Sequence, residues 1–379
     1  MDLRWTDEQN RLRAQFEDFG KTEVAPRALA LADQDQFDHQ SWDKLALTEF
    51  WKLIVPEAYG GQGEHWWDFT AAFEGLISTA GDGGFVVSVA AQAAFIRAIT
   101  AFGSPAQKDR LLPELLQGAI TATAISEPHT GTAMPALKTI ASPAESGYLL
   151  NGEKFNISHA STAKYAIVIG RQPDLGKRDL NIFLLDTEAT GYSAGAPQRK
   201  SGLRTLPTGS MSFDNVAIGE ANVLKGGLRS LVPMMSMARV MYGLVSTHLL
   251  RPVLESAWDF LAQRGPKGEG LLDHQFLQQK ITDVQLHIEQ HRWACYAALS
   301  QVLHQDSAMA LTGSVVKLSG ARSLTDRMRD LLTLLGSRGY LDGQASHLMH
   351  DALGMLWVGG TEEMHRINIF NQMKRQRTD

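Results

Sequence analysis

The run Tyr165-Ala-Ile-Val-Ile-Gly-Arg-Gln-Pro-Asp-Leu-Gly-Lys-Arg-Asp-Leu-Asn-Ile-Phe-Leu-Leu185 decides the architecture. Tyr165 to Ile169 and Asn181 to Leu185 are short runs rich in β-branched and aromatic residues, with Pro173 and Gly176 between them, so the stretch reads as two strands and a turn. Ser210-Met-Ser-Phe-Asp-Asn-Val216 adds a third. From about Thr121 to Leu224 such runs alternate with Gly, Pro, Ser and Asn turns, which predicts an antiparallel barrel or sandwich. On both sides the pattern is helical. Upstream, Thr6 is placed to cap a helix and Gln9 to close a capping box, with Leu12, Phe16 and Phe19 following at helical spacing. Val24, Pro26 and the acidic Asp33 to Asp38 region interrupt that pattern, and Ser41 opens a second short helix through Leu45 and Phe50. The cluster Pro56, Tyr59, Gly60, Gly61 and Gly63 stops it. Phe69 to Thr79, Phe85 to Phe102 and Pro105 to Leu116 complete an all-α unit. Beyond Gly226-Gly227, the runs Leu231 to Gln263, Asp273 to Gln305 and Ala308 to Leu335 have the lengths of a packed bundle. Pro252 should kink or break the first of them. The predicted organisation is an all-α domain over 1–120, a β domain over 121–225 and a four-helix-bundle domain over 226–379.

A chain of 379 residues with 44% hydrophobic content is that of a globular protein of two or three domains. A net charge of -5 offers no electrostatic footprint for nucleic acid or for an anionic membrane. The single cysteine, Cys295, excludes an intramolecular disulfide and leaves no cysteine cluster for zinc; no metal site is expected. It lies in a helical pattern and reads as packing. Met1 to Asp7 lacks an apolar signal core, and no uninterrupted apolar run reaches membrane-spanning length, so a soluble cytoplasmic protein is expected.

Near the C-terminus stands Met355-Leu-Trp-Val-Gly-Gly-Thr-Glu-Glu-Met-His-Arg-Ile367. Thr361 occupies a helix N-cap position, with Glu362 and Glu363 in the first turn. Gly359 and Gly360 before it allow a backbone to approach something flat or bulky, and the helix start offers unpaired N–H groups.

Phe102-Gly-Ser104 with Leu112-Pro-Glu-Leu115, then Ala124-Ile-Ser-Glu-Pro-His-Thr-Gly-Thr132, Gly147-Tyr-Leu-Leu-Asn-Gly-Glu-Lys154 with Phe155-Asn-Ile-Ser158, Gly202-Leu-Arg204, Arg264 with Gln275, and Leu335-Gly-Ser-Arg-Gly-Tyr340 follow one another in order. Together they resemble the acyl-CoA dehydrogenase superfamily over essentially the whole chain. The Gly147 to Ser158 portion is similar to the family's strand pair beside the flavin. The resemblance implies FAD bound non-covalently between the β domain and the C-terminal bundle, in a homodimer or homotetramer whose neighbouring subunit completes the adenine side. It implies Ser126 and Ser158 for the flavin ring, Arg264 for the pyrophosphate, and Gln275, Gly336 and Thr361 for the ADP half. Thr132, Arg239 and Gly359 fall at substrate positions. Glu363 also falls near the ADP part, where a carboxylate would repel phosphates.

The sequence departs from the family where the base should be. The commonest branch carries Glu in Tyr-Glu-Gly-Thr, and here that position is Gly359; a second branch carries Glu before an Arg, and here the pair is Ala238-Arg239. No carboxylate of suitable pKa stands at either site for α-proton abstraction. Asn156 replaces a common Trp, Lys267 a common Phe and His129 a common Gly. His129 and His159, with His350 and His365, are candidate replacement bases, because histidine titrates near neutral pH. The expected activity is an O2-using flavoprotein oxygenase or monooxygenase acting on an acyl-CoA or acyl-carrier thioester. The alternatives are a dehydrogenase with a relocated base, passing electrons to an electron-transfer flavoprotein, and a catalytically silent FAD-binding subunit. Gly359→Glu is expected to introduce dehydrogenation if the pocket otherwise matches.

Overall fold

The computed structural model describes residues 4–130, 134–264, 270–375 and 377. Helix α1 (Asp7–Phe19) begins at the expected capping box, Thr6 Oγ1 accepting from the Gln9 N–H and Gln9 Oε1 from the Thr6 N–H. Val24 and Pro26 do not interrupt the helix as expected. A single π-helical turn, Gly20–Val24, carries it into α2 (Ala25–Asp33), with the Ala25 N–H bonded to the Gly20 carbonyl. That shift of one residue puts Pro26 in a first turn, where its missing N–H costs nothing. Helix α3 (His39–Ala46) starts ahead of the expected Ser41 and ends before Phe50. Asp38 is its cap: the carboxylate accepts from the Ser41 N–H at 3.0 Å and is held by Arg27.

Helices α4 (Trp66–Ala80), α5 (Gly83–Phe102) and α6 (Pro105–Leu116) follow, and α6 opens with a Ser104–Gln107 capping box. Helix α5 is long and apolar enough to cross a membrane by length and composition, but Gln92 and Arg97 leave no uninterrupted apolar run of that length in it. Here it is a core helix, 78% of its most apolar window being buried inside the protein.

The middle of the chain forms one curled sheet of seven strands: β1 (Thr121–Ala124), β2 (Ile140–Ala144), β3 (Gly147–Ser158), β4 (Tyr165–Arg171), β5 (Leu180–Asp186), β6 (Tyr192–Ala194) and β7 (Thr208–Ile218). The order is β1-β4-β2-β3-β7-β6, with β5 paired to β4. The β4–β5 and β3–β7 pairs are antiparallel, while β4 runs parallel to β1 and β2, so the sheet is mixed rather than wholly antiparallel. The parallel pairing follows from the entry of β1 straight out of α6, on the far side of β4 from β5. The expected strand pair at Gly147 to Ser158 is one long strand, bent by irregularities in its pairing with β7 at Leu150/Gly152 and Lys154/Ile157.

Helices α7 (Leu228–His248), α8 (Arg251–Ala262), α9 (Gln275–Leu303) and α10 (Met309–Leu334) make the bundle. The expected first run breaks at Leu249-Leu250, and Pro252 sits in the first turn of α8. Helices α11 (Gln344–Gly354) and α12 (Glu362–Arg375) pack on α10. Cys295 is fully buried, and burial pushes its thiol well above the usual range.

All three domains meet at buried Asp351 on α11. Its Oδ2 accepts from the Gly83 N–H at 2.9 Å and its Oδ1 from the Leu203 N–H at 2.6 Å. Beside it Asp82 caps α5, accepting from the Phe85 N–H and the Thr205 hydroxyl, while its Oδ2 has no partner among the described residues. Burial, and then the neighbouring Asp351 carboxylate, push Asp82 up to about 6. The folded state therefore holds this proton more tightly than the unfolded chain, whose Asp titrates near 3.9, and the stability it contributes is full in acid and lost as pH rises through 6. Asp82→Asn keeps the capping oxygen and removes the like charge. Thermal unfolding across pH 4 to 7 should show a flatter profile for this variant and at least wild-type stability at pH 7; a profile parallel to wild type would refute the account of a raised, like-charge-disfavoured Asp82.

Candidate active site

Two groups of predicted residues lie on separate supports. The first runs along β3. The segment Ile125–Glu127, which leaves β1, is laid against this strand by the Phe155 N–H donating to the Ser126 carbonyl at 2.8 Å. Lys154, fully buried, donates to the Ile125 carbonyl at 3.0 Å and to Glu127 Oε1 at 2.9 Å. Burial alone would raise the Glu127 pKa, yet the Thr139 hydroxyl, the backbone N–H groups of Lys138 and Thr139 and the Lys154 ammonium hold it down at about 2. This pair fixes the backbone that carries Ser126. Ser126 and Ser158 are half-buried, and neither hydroxyl has a hydrogen-bond partner among the described residues. Asn156, with a left-handed φ of 56°, bulges from β3 between them and is exposed. Thr132 and Lys267 lie outside the described residues.

The second support is the bundle's end. Arg264, exposed after α8, and Arg338, exposed in the turn after α10, both lie over the Phe260 ring, 5.1 and 5.7 Å from its centroid. Neither forms an ion pair among the described residues, which leaves two guanidinium groups for a diphosphate. Gly336, with φ 59° and open space where a Cβ would stand, and exposed Gln275 at the start of α9 border them. FAD fits these two sets of free donors: the serines would meet its ring system and the arginines its pyrophosphate.

The Gly359–Gly360 turn is built from α7, α10 and α12. Both glycines have left-handed φ values, 71° and 116°. Lys317 on α10, 2% exposed, donates to the Leu356 carbonyl at 3.1 Å and the Gly360 carbonyl at 2.8 Å, clamping the turn from below. Thr361 caps α12 as expected, its Oγ1 accepting from the Met364 N–H at 3.4 Å. Arg239 on α7 reaches Ser314 Oγ at 3.3 Å and Met364 Sδ at 3.8 Å, and its Nε is unpartnered among the described residues. His365 is fully buried with neither ring nitrogen partnered among those residues. The electrostatics here are cationic: burial pushes Arg239 down to about 10, burial and Arg239 push Lys317 down to about 8, and burial with Arg239 and Lys317 pushes His365 down to about 3. Glu362, at the start of α12, is engaged outward by Arg322 and Arg366.

The candidate bases therefore separate. His159 is buried, with Nδ1 on Thr162 Oγ1 at 2.9 Å and Nε2 on Ser88 Oγ at 2.8 Å, and burial first, then His39 and Lys200, pushes it down to about 3. Both of its nitrogens are occupied, so it joins the β domain to α5 rather than facing a substrate. His129 and His350 are exposed, the latter bonded to the Ser346 carbonyl, and Glu363 is exposed. Sequence reasoning missed Tyr242 and Lys317. A Cβ on Gly359 would lie 2.7 and 2.9 Å from the Tyr242 ring atoms Cδ2 and Cε2, so the aromatic ring abuts the turn. Its only sequence signal was helical spacing from Ala238, one turn earlier on α7. A glutamate side chain at 359 would start from a left-handed backbone beside this ring.

Comparison with known proteins agrees with this layout. The acyl-CoA dehydrogenase N-terminal, middle and C-terminal domain families match residues 6–119, 122–216 and 225–374. An acyl-CoA dehydrogenase of Bacillus subtilis (strain 168) is 27% identical over 96% of this chain and 97% of its own. Butyryl-CoA dehydrogenase from Megasphaera elsdenii has the same fold, with a TM-score of 0.92 at 23% identity over 98% of this chain and 100% of its own. The prolyl acyl carrier protein oxidase AnaB matches equally, with a TM-score of 0.92 at 23% identity over 98% of this chain and 100% of its own. With all three domains matched in order, the chain belongs to the acyl-CoA dehydrogenase family.

Proposed function

We propose that this protein is a cytoplasmic FAD-dependent oxidoreductase acting on an acyl-CoA or acyl-carrier thioester, and that it uses O2 as an oxygenase or monooxygenase. When bound, FAD supplies the redox chemistry, taking electrons from a donor and passing them to oxygen. One observation supports the reading: neither position 359 on the turn nor position 238 on α7 carries a carboxylate. Position 359 is Gly and position 238 is Ala, and the groups gathered at the turn are Arg239, Lys317, His365 and Tyr242. His365, held at about 3, is too weak a base for an α-proton, and the Lys317 amine is committed to two carbonyls. A site of this kind binds and orients an acyl group without abstracting its proton. The prolyl acyl carrier protein oxidase AnaB, on the same fold, supports use of the scaffold with a carrier-bound acyl group.

Ser126 and Ser158 would hold the ring system, Arg264 and Arg338 the diphosphate, and Gln275, Gly336 and Thr361 the ADP half. Thr132, Arg239 and Gly359 would border the substrate. Phe276, Tyr340 and Leu341 beside the adenosine end are 65%, 92% and 64% exposed, which supports a homodimer or homotetramer in which a second subunit covers them. The test is reoxidation. Purified yellow protein, reduced anaerobically and mixed with air-saturated buffer, should recover its oxidised flavin spectrum rapidly, and a plain saturated acyl-CoA should not bleach it. Slow recovery together with bleaching by that acyl-CoA would replace this reading with a dehydrogenase that passes electrons to an electron-transfer flavoprotein. Protein purified gently without flavin would point to a silent subunit.

A further inference from the structure

We propose that Asp351 is a positioning residue of the flavin site, its carboxylate holding the β domain and the C-terminal bundle at the spacing that lets one FAD reach the donors on both. The inference rests on FAD as the cofactor and on the two supports assigned above, and is independent of where the electrons go. Ser126 and Ser158 stand on the β domain, while Arg264, Arg338, Gln275, Gly336 and Thr361 stand on the bundle. Asp351 lies on the path between them. On the bundle side it belongs to α11, which the Thr325 hydroxyl of α10 holds by donating to the Ala352 carbonyl at 3.4 Å. The same helix follows the Gly336–Tyr340 turn and leads into the Gly359 turn. On the other side Asp351 Oδ1 takes the Leu203 N–H at 2.6 Å, and the segment from Leu203 runs directly into β7 at Thr208, the residue opposite Ser158 on β3. The His159 N–H, donating to the Pro207 carbonyl at 2.6 Å, fastens that segment to the residue after Ser158. A shift at the carboxylate is thus passed to a flavin-ring serine through a short, bonded stretch of chain. The joint is also built tight. Leu203 is buried with a left-handed φ of 49°, a conformation that persists in a non-glycine residue only where its surroundings enforce it. Side chains are missing where the segments touch: a Cβ on Gly83 would lie 2.6 Å from Asp351 Oδ2, one on Gly354 2.8 Å from Leu203 Cγ, and one on Gly202 would collide with the His350 carbonyl.

FAD is then a two-ended ligand, whose second end binds from an effective concentration that the joint sets, whereas ADP meets the bundle alone. That difference supplies a test without turnover. The full-length chain, stripped of flavin and shown to take FAD back, is titrated with FAD and with ADP by calorimetry. Asp351→Asn keeps the size of the side chain but turns an NH2 group toward one of the two N–H donors, from Gly83 or Leu203, and so opens the joint. It should weaken FAD binding at least tenfold and leave ADP binding within about twofold. Gly202→Ala leaves Asp351 intact and wedges a methyl group between the Leu203 segment and α11, so it should give the same split. It decides the matter if Asp351→Asn does not fold. Parallel loss of FAD and ADP would reduce Asp351 to a structural residue. Unchanged FAD affinity in both variants would overturn the positioning role while the assignment of the site stands. A wild-type chain that takes FAD but not ADP would overturn the two-support assignment, and the inference with it.

Discussion

Glu127→Ala should lower stability by about 3–5 kcal/mol in urea unfolding and release FAD on gel filtration, the largest loss expected from any single side chain near the site. Glu127 is 5% exposed and takes four donors, from Thr139 Oγ1, the Lys138 and Thr139 backbone N–H groups, and Lys154 Nζ. Removing it leaves a fully buried ammonium with only the Ile125 carbonyl, two backbone N–H groups without acceptors, and the Thr139 hydroxyl with only the Glu153 carbonyl at 3.5 Å. Lys154→Met is the milder break, because the carboxylate retains Thr139 and two N–H groups. The double replacement Glu127→Ala with Lys154→Met should cost less than the sum of these two singles, as expected when two groups depend on one another. Since the carboxyl is held at about 2, below its unfolded value near 4.3, its contribution is full above pH 4.3 and lost as pH falls toward 2. The functional link is spatial: the same ammonium that neutralises Glu127 pins Ile125, next to Ser126. A Glu127→Ala protein with wild-type stability, or one that keeps its flavin, would refute this account.

Much of this fold could be read from the chain because local chemistry and global packing agree. The Thr6–Gln9 capping box, the β-rich Tyr165 and Asn181 runs and the Gly359-Gly360-Thr361 turn are all short-range signals, and each element appears where its residues place it. The misses come from long-range effects. Pro26 reads as a breaker until the π turn before it shifts the hydrogen-bond register, and parallel pairing of β1 with β4 involves residues forty-odd positions apart, which no local pattern encodes. His159 reads as a titratable base by composition, but Ser88 on α5, far away in sequence, occupies its Nε2. Tyr242 was silent for the same reason: a tyrosine in an apolar helix looks like core until the turn over a hundred residues later is laid against its ring. The absence of a carboxylate at 359 and 238 was legible; what fills the space was not.

Lys317→Met should cost about 2–4 kcal/mol at pH 7, because it strands the Leu356 and Gly360 carbonyls that the amine now satisfies in a buried setting, each worth about 1–3 kcal/mol when left unpaired. One opposing effect trims the loss, since the ammonium sits near Arg239 and burial disfavours its charge, which together bring its pKa down to about 8. The sign of the pH dependence follows. Between about 8 and the unfolded value near 10.4 the unfolded chain binds the proton more tightly, so raising pH across that window stabilises the wild-type fold, while the neutral amine still donates to both carbonyls. The variant has no such group, and the stability gap between the two proteins should widen from pH 7 to pH 9.5. Urea midpoints at the two pH values measure it. The same change should weaken thioester binding, because Lys317 sets the height of the Gly359–Thr361 backbone against Tyr242. A gap that stays constant or narrows with pH would mean that Lys317 is not the buried, charge-disfavoured clamp of the turn that its two carbonyl bonds describe.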